Sequence, residues 1–309
     1  MLDLTKKKIL VAGGNGFLGS HVVQGLRRRG VPEGNIFIPT SKEFDLRKME
    51  NCERVVKGQE ILFDFAVVAG DLSRRMQIPG ELFYDNLMMS VQILEAARRA
   101  GMEKVVSIGS AVEYPENAPA PLKETDLWMG EQAPVNIPYG FAKKTLLLQG
   151  QAYRAQYGFD TIHLLLTNVF GPRERVASGY LMPSLIQRVI DAKREKKTSI
   201  EVWGTGEALR DFMYVDDAVE GILLAAERYD EGEPVNLGTG FGVSIKELVV
   251  MISKIVGYTG EVRWDTTKPN GQMRRVMDIH RAEKMFGFRT KTKLEEGLKA
   301  TVEWHEKNS

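Results

Sequence analysis

Lys8-Ile9-Leu10-Val11-Ala12-Gly13-Gly14-Asn15-Gly16-Phe17-Leu18-Gly19 sets a short apolar run against a glycine-rich turn and the start of a helical pattern. The apolar run is too short for a helix and suits a strand buried on both faces. From Phe17 to Arg29 apolar residues return at helical spacing, with basic residues near the end. Strand, tight turn and helix in that order form the first unit of a parallel α/β sheet. In Gly13-x-x-Gly16-x-x-Gly19 the first glycine allows a sharp reversal, the second lets backbone approach a diphosphate, and the third lets helix pack closely on strand. The helix N-terminus then offers free N–H groups and a positive dipole to an anion. A dinucleotide is the ligand this context implies; the plain alternative is a tight turn with no ligand.

Working outward, Asn35 to Pro39, Ile61 to Ala69, Val105 to Ile108 and Thr161 to Leu166 read as further strands. Helical stretches separate them, the longest over Asn86 to Ala100 and Tyr139 to Tyr157. Alternating strands and helices predict a Rossmann-type, doubly wound parallel sheet. After a Gly171-Pro172 break the character changes, and a helix follows around Pro183 to Lys193. The reading is a dinucleotide-binding domain over 1–170 plus about 211–243, with a smaller carboxy-terminal α/β substrate lobe over about 171–210 and 244–309. Without repeats or a flexible linker between them, the lobes share an interface and a cleft.

The 309 residues are 43% apolar and 27% charged, and 42 Lys plus Arg nearly balance 41 Asp plus Glu. Bulk charge gives no reason to expect nucleic acid or an anionic membrane as partner. Cys52 stands alone and is expected to be an inert surface or half-buried thiol, and the four histidines are scattered, so no metal site is expected. No stretch reads as a signal peptide, and none approaches the roughly 18 apolar residues of a membrane span. Cytoplasmic residence is the default expectation.

Tyr139 and Lys143 share one helix face at i, i+4. A phenol with a pKa of roughly 10 moves protons poorly near neutrality unless its phenolate is stabilised, and the ammonium one turn away is expected to do that. Ser110 closes the fourth apolar run and would complete a proton-transfer set with them. Separately, Tyr-x-x-x-Lys is a common accident on amphipathic helices and Ser110 an ordinary turn hydroxyl. At the end of the second strand, where an acid would bind the ribose of NAD, the chain has Thr40-Ser41-Lys42. Hydroxyls and a lysine suit a 2′-phosphate, so NADP(H) is favoured and NAD(H) stays possible, with Glu43 as the acid if the strand runs longer. Asp45-Leu46 is placed to meet the adenine edge.

Phe83-Tyr-Asp-Asn86, Thr167-Asn-Val-Phe-Gly-Pro172, Gly204 to Asp217, Asn236-Leu-Gly-Thr-Gly240 and Arg274-Arg-Val-Met-Asp278 extend these motifs along nearly the whole chain. Together they resemble the extended short-chain dehydrogenase/reductases of the NAD-dependent epimerase/dehydratase type, which act on nucleotide sugars. The resemblance implies that Ser110 bonds the sugar carbonyl or hydroxyl, Tyr139 transfers the proton, and Lys143 holds both phenolate and nicotinamide ribose. It implies cofactor contacts at Asn15, Phe17, Leu18, Ala69 and Asn86, besides the glycines. For the substrate it points to Asn168, Arg210 and Arg274, with Trp203 flanking the nucleotide and Arg188 reaching its phosphates. Each also has a plain alternative: an ion pair of Arg210 with Asp211, a backbone cap by Asn168, a core Trp203, a solvated Arg188. The two long helices resemble those that pair across a two-fold axis, which implies a homodimer.

Within the family, Gly109-Ser110-Ala-Val-Glu-Tyr114-Pro115 and Val202-Trp203-Gly204 are most similar to GDP-fucose synthases, which epimerise and then reduce a 4-keto-6-deoxy sugar. Their epimerisation uses a cysteine and a histidine, at whose positions this chain has Val112 and Tyr180. Valine cannot exchange a proton, and tyrosine is a far weaker acid. The Asp-Glu pair of sugar dehydratases is replaced by Ala111-Val112, and Glu113, one residue out of register on a strand, would face the other way. The expectation is an NADPH-dependent 4-ketoreductase of a nucleotide-linked deoxy sugar. A 4-epimerase with tightly bound NAD is the alternative, since Ser110-Ala111 and Tyr114 also fit that pattern; a dinucleotide-sensing protein without turnover is the third.

Overall fold

The opening strand, Ile9–Ala12 (β1), is buried along its whole length, and Phe17–Arg28 (α1) follows it from a Gly16 cap. The computed structural model describes residues 1–68, 72–176, 179–268 and 270–308. Ile36–Phe37 (β2), Met49–Val56 (α2), Ile61–Asp64 (β3), Leu72–Gln77 (α3), Pro79–Arg99 (α4), Lys104–Ser110 (β4), Ile137–Tyr157 (α5) and Asp160–Leu166 (β5) continue the alternation. Pro79 starts α4, where its missing N–H costs nothing, and Gly158 ends α5 in the left-handed conformation at φ 66°. The second strand is shorter than expected because Pro39 has no N–H to add to a ladder, and the third stops at Asp64.

Beyond β5 come Asn168–Phe170 (β6), Leu181–Arg194 (α6), Ser199–Trp203 (β7), Leu209–Arg210 (β8), Phe212–Tyr214 (β9), Val215–Arg228 (α7) and Val235–Leu237 (β10). Val243–Ser244 (β11), Ile245–Val256 (α8), Glu261–Asp265 (β12), Arg274–Arg275 (β13), His280–Phe286 (α9) and Leu294–Asn308 (α10) finish the chain. The main sheet is parallel with the order β10-β5-β4-β3-β1-β2. This is the Rossmann-type, doubly wound sheet, and the winding reverses between β1 and β3. A crevice opens at the carboxyl ends of strands at such a reversal, where ligands of this fold class bind.

Strand periodicity sorts the core into layers. Ile9, Val11, Ile61, Phe63 and Val106 point to α1, α7 and α9, while Leu10, Leu62 and Val105 point to α2, α4 and α5. Each fully buried aliphatic side chain contributes roughly 1.5–3 kcal/mol, so both sheet faces are firmly covered. Cys52 is wholly buried in the second layer rather than near the surface, and burial pushes its thiol up to about 12. A separate core joins α6, α8, α10 and β7 through Ile186, Val189, Leu248, Ile252, Leu298 and Ile200. The late helix α9 packs instead into the first core through Ala282 and Phe286. Among the described residues no helix is long and apolar enough to cross a membrane, and no three His, Cys, Asp or Glu side chains gather as metal ligands.

Candidate active site

The β1–α1 turn lies directly on the segment leaving β3. Gly13 adopts φ +74°, and a Cβ there would come within 2.6 Å of the Phe65 carbonyl oxygen. Gly16 caps α1 without any side-chain hydrogen bond, which leaves the first N–H groups of the helix for a ligand. Asn15 and Gly16 are exposed, Phe17 and Leu18 half-buried, and Gly19 sits so close to Gly13 that a Cβ would come 2.4 Å from its carbonyl oxygen. A cradle that any side chain would fill, facing an uncapped helix N-terminus, fits a dinucleotide diphosphate.

At the far end of the crevice Thr40, Ser41 and Lys42 are exposed. Thr40 Oγ1 donates to the Glu43 carboxylate at 2.8 Å, so Glu43 closes its own turn rather than extending the second strand. Three residues expected at the cofactor have side chains engaged elsewhere. Asp45 is gripped through both oxygens by Arg47, and Leu46 is buried in the core, so neither side chain is free for an adenine edge. Asn86 is buried and spends its carboxamide on Val68 N–H, Val68 carbonyl and Leu82 carbonyl at 3.0, 3.0 and 2.7 Å. It pins the segment after β3 and presents no free group. Ala69 lies outside the described residues.

Ser110 ends β4 and starts a single 3-10 turn over Ala111–Glu113. Its backbone N–H donates to Glu113 Oε1 at 2.7 Å, and its Oγ accepts from Val112 N–H at 3.4 Å. The chain therefore turns where a continued strand was expected, and Glu113 folds back inward as a helix cap instead of facing the opposite side. That turn packs on α5, bringing Ser110 to the helix that carries Tyr139 and Lys143.

Burial pushes the Tyr139 phenol up to about 12; Arg75 opposes that shift and Glu113 reinforces it. The Arg75 guanidinium carbon lies 5.0 Å from the centre of the Tyr139 ring, and Nη1 donates to Asn136 Oδ1 at 2.7 Å. Lys143 is buried and its charge acts on Asp64, whose carboxyl burial raises and the ammonium lowers. The cation over the Tyr139 ring is Arg75, a partner not expected from the sequence, while the charge of Lys143 also acts on a buried carboxyl at the end of β3. Asp64 Oδ1 accepts Ala66 N–H at 3.1 Å, and Oδ2 has no hydrogen-bond partner among the described residues.

The other wall comes from the shorter strands. Arg210 and Arg275 are register partners on β8 and β13. Arg210 donates to the carbonyls of Leu209 and Asn270 at 2.8 and 3.2 Å, and no carboxylate among the described residues lies in ion-pair range. Asp211 turns away to Thr239 and Met277, so the Arg210–Asp211 pair does not form. Arg275 is pushed down to about 10 by burial first and then by Arg210 and Arg75. Arg210, itself pushed down by burial, and Arg75 both depress Arg275, a local excess of positive charge that suits an anion. Arg274, the residue expected here, is exposed, because neighbours on a strand face opposite ways. Arg275 was one residue from a visible signal; Arg75 had none, since only the fold brings α3 over α5.

Asn168 donates to the Asp211 carbonyl at 2.8 Å, across strands rather than to its own turn. Val112 is buried, Tyr180 part-exposed, and Trp203 is 55% exposed, with the Lys268 ammonium 5.5 Å from its ring centre. Trp203 is thus not a core residue. Arg188 donates to the Glu201 carbonyl on the strand that Trp203 ends.

The model of the NAD dependent epimerase/dehydratase family matches residues 9–238. A probable GDP-L-fucose synthase of Oryza sativa subsp. japonica is 33% identical over 308 residues, covering 97% of this chain and 92% of the relative. A GDP-6-OMe-4-keto-L-xylo-heptose reductase from C. jejuni superposes with a TM-score of 0.92 at 27% identity, covering 99% of both chains. The GDP-mannoheptose C4 reductase of Campylobacter jejuni, solved with NADP bound, gives 0.90 at 29% identity over 98% of this chain and 99% of its own. With the glycine cradle and a family match over most of its length, the chain belongs to the NAD dependent epimerase/dehydratase family.

Proposed function

We propose that the protein is an NADPH-dependent 4-ketoreductase of a nucleotide-linked 4-keto-6-deoxy sugar. The observation that carries this reading is the Tyr139 phenol, kept protonated by burial beneath the Arg75 guanidinium. A protonated phenol at neutral pH is a donor, which reduction needs; an oxidation-first cycle needs a base there. NADPH supplies the hydride when bound. Ser110 and Tyr139 polarise the sugar carbonyl, Tyr139 gives its proton to the oxygen, and Arg75 stabilises the phenolate left behind. Lys143 holds the ribose hydroxyls. Lys42, Thr40 and Ser41 favour a 2′-phosphate, in keeping with the NADP of the Campylobacter relative.

Arg210 and Arg275 would hold the substrate diphosphate by forked contacts, Trp203 would flank the base, and Asn168 would orient the sugar. This assigns 1–170 with about 211–243 to the cofactor and about 171–210 with 244–309 to the nucleotide sugar, α9 of the latter being packed on the first core. The relatives' names make GDP the first nucleotide to test. Incubated with NADPH and a GDP-4-keto-6-deoxyhexose, the protein is expected to consume one NADPH per sugar reduced at C4. Run in D2O, the product should carry no deuterium at C3 or C5, because Val112 and Tyr180 offer no exchanging acid or base of ordinary strength. Turnover with no keto-sugar nucleotide would leave only the sensing role, and NAD retained through purification would favour the 4-epimerase.

A homodimer goes with this reading. The outer faces of α4 and α5 expose Phe83, Tyr84, Phe141 and Leu148, the last two being two helical turns apart on one side. Light scattering is expected to give twice the chain mass, and Leu148→Glu to give the single chain. A cytoplasmic location suits a buried, unpaired Cys52 that needs no oxidising compartment.

A further inference from the structure

Beneath the site lies a row of buried polar side chains that the proposed reduction leaves without a task. Ser107 on β4 and His163 on β5 are register partners, and Ser107 Oγ lies 2.8 Å from His163 Nδ1 and 3.0 Å from the Ile162 carbonyl oxygen. His163 Nε2 lies 3.2 Å from Glu113 Oε2, while Glu113 Oε1 takes the Ser110 N–H at 2.7 Å. Glu113 is 0% exposed and His163 3%. An imidazole N–H facing a carboxylate fixes the tautomer and holds the acceptor in place.

Two close approaches show how tightly the chain is built around this pair. A Cβ on Gly109 would come within 2.4 Å of His163 Nε2 and 2.5 Å of Glu113 Oε1, so the residue before Ser110 has to be glycine for the pair to fit. From the other side the buried carboxamide of Gln132 donates to the carbonyls of Val112 and Glu113 at 3.2 and 3.0 Å. A Cβ on Gly140, the residue after Tyr139, would come 2.5 Å from that same nitrogen. The turn bearing Ser110 is thus held from below by Glu113 and tied sideways to the start of the helix bearing Tyr139.

A buried carboxylate is costly unless its oxygens are used. Here one oxygen is spent on His163 and the other on the backbone of the residue proposed to polarise the carbonyl. We propose that Glu113, clamped by His163, is a positioning residue that sets the Ser110 hydroxyl against the Tyr139 phenol. The inference rests on the reductase reading above.

The test is a double-mutant cycle in the NADPH-dependent reduction assay, with NADPH affinity followed separately by nicotinamide fluorescence. Glu113→Val is expected to lower kcat on the order of 10- to 100-fold with NADPH affinity unchanged. In a Ser110→Ala background the same change should cost less than about threefold, since the group it positions is already gone. Glu113→Gln, whose amide oxygen still accepts the Ser110 N–H, should recover most of the rate. Equal losses in both backgrounds, or a Glu113→Val enzyme within about threefold of wild type, would overturn the proposal. Should Glu113→Val not fold, His163→Asn, too short to reach Glu113, is read by the same two criteria. Full turnover by Tyr139→Phe would instead remove the reductase reading itself, so the two failures are distinguishable.

Discussion

Tyr139→Phe is expected to lower kcat for keto-sugar reduction by on the order of 10³-fold while leaving NADPH affinity within about twofold of wild type. Phenylalanine keeps the ring, its packing and its contact with Arg75, so no cavity opens and the cofactor crevice is undisturbed. What is lost is the proton. Burial pushes the phenol up to about 12, and Arg75 pulls it back only in part. The hydroxyl therefore stays protonated until negative charge develops on the sugar oxygen, and only then does the guanidinium 5.0 Å from the ring centre become worth its full attraction. The pH dependence follows with a definite sign. Reduction uses the protonated form, so with respect to this group the rate is flat through neutrality and falls as pH rises toward about 12. The reverse oxidation uses the phenolate and should rise over that interval. Steady-state rates across pH in both directions, beside cofactor binding, check both statements.

How much of this was legible beforehand depends on how local each signal is. Gly13, Gly16 and Gly19 work within one turn, and Tyr139 and Lys143 within one helix, so spacing makes them candidates and their joint occurrence in order gives the signal its weight. Ser110 needed only the end of an apolar run. The partners that tune these groups come from elsewhere in the chain. Arg75 reaches Tyr139 from α3, Lys143 acts on Asp64 at the end of β3, and Glu113 meets His163 because β4 and β5 are neighbours in the sheet. No residue-by-residue pattern marks any of those pairs. The side that Glu113 takes follows from a turn capped by Ser110, where the apolar run before it predicts a continued strand and the opposite side. The sequence does not distinguish Arg275 from Arg274, because a two-residue strand carries no periodicity from which to choose a face. Asn86, legible as a family position, and Leu46, legible from its place beyond the second strand, prove to be occupied by backbone bonds and by packing.

Glu174→Gln is expected to make the protein more stable, and more so as pH rises. Glu174 sits in the loop between β6 and α6, 4% exposed, and its Oε2 has no hydrogen-bond partner among the described residues. Burial alone raises its carboxyl from 4.5 to about 8. The folded state therefore keeps a proton at pH values where the unfolded chain has released it. The unfolded state binds fewer protons over that window, so stability falls as pH rises from 4.5 to about 8 and levels off beyond. At neutral pH the penalty is on the order of 3 kcal/mol, at about 1.4 kcal/mol for each pH unit above the unfolded value. Glutamine has the same shape and no charge to bury. Near pH 5 the variant and wild type should melt within about a degree of each other, whereas near pH 8.5 the variant should melt roughly 6 °C higher. Melting curves that run parallel across that range would mean that the carboxylate finds a partner in solution, and Glu174 would then have to be placed among the groups that respond to a bound ligand.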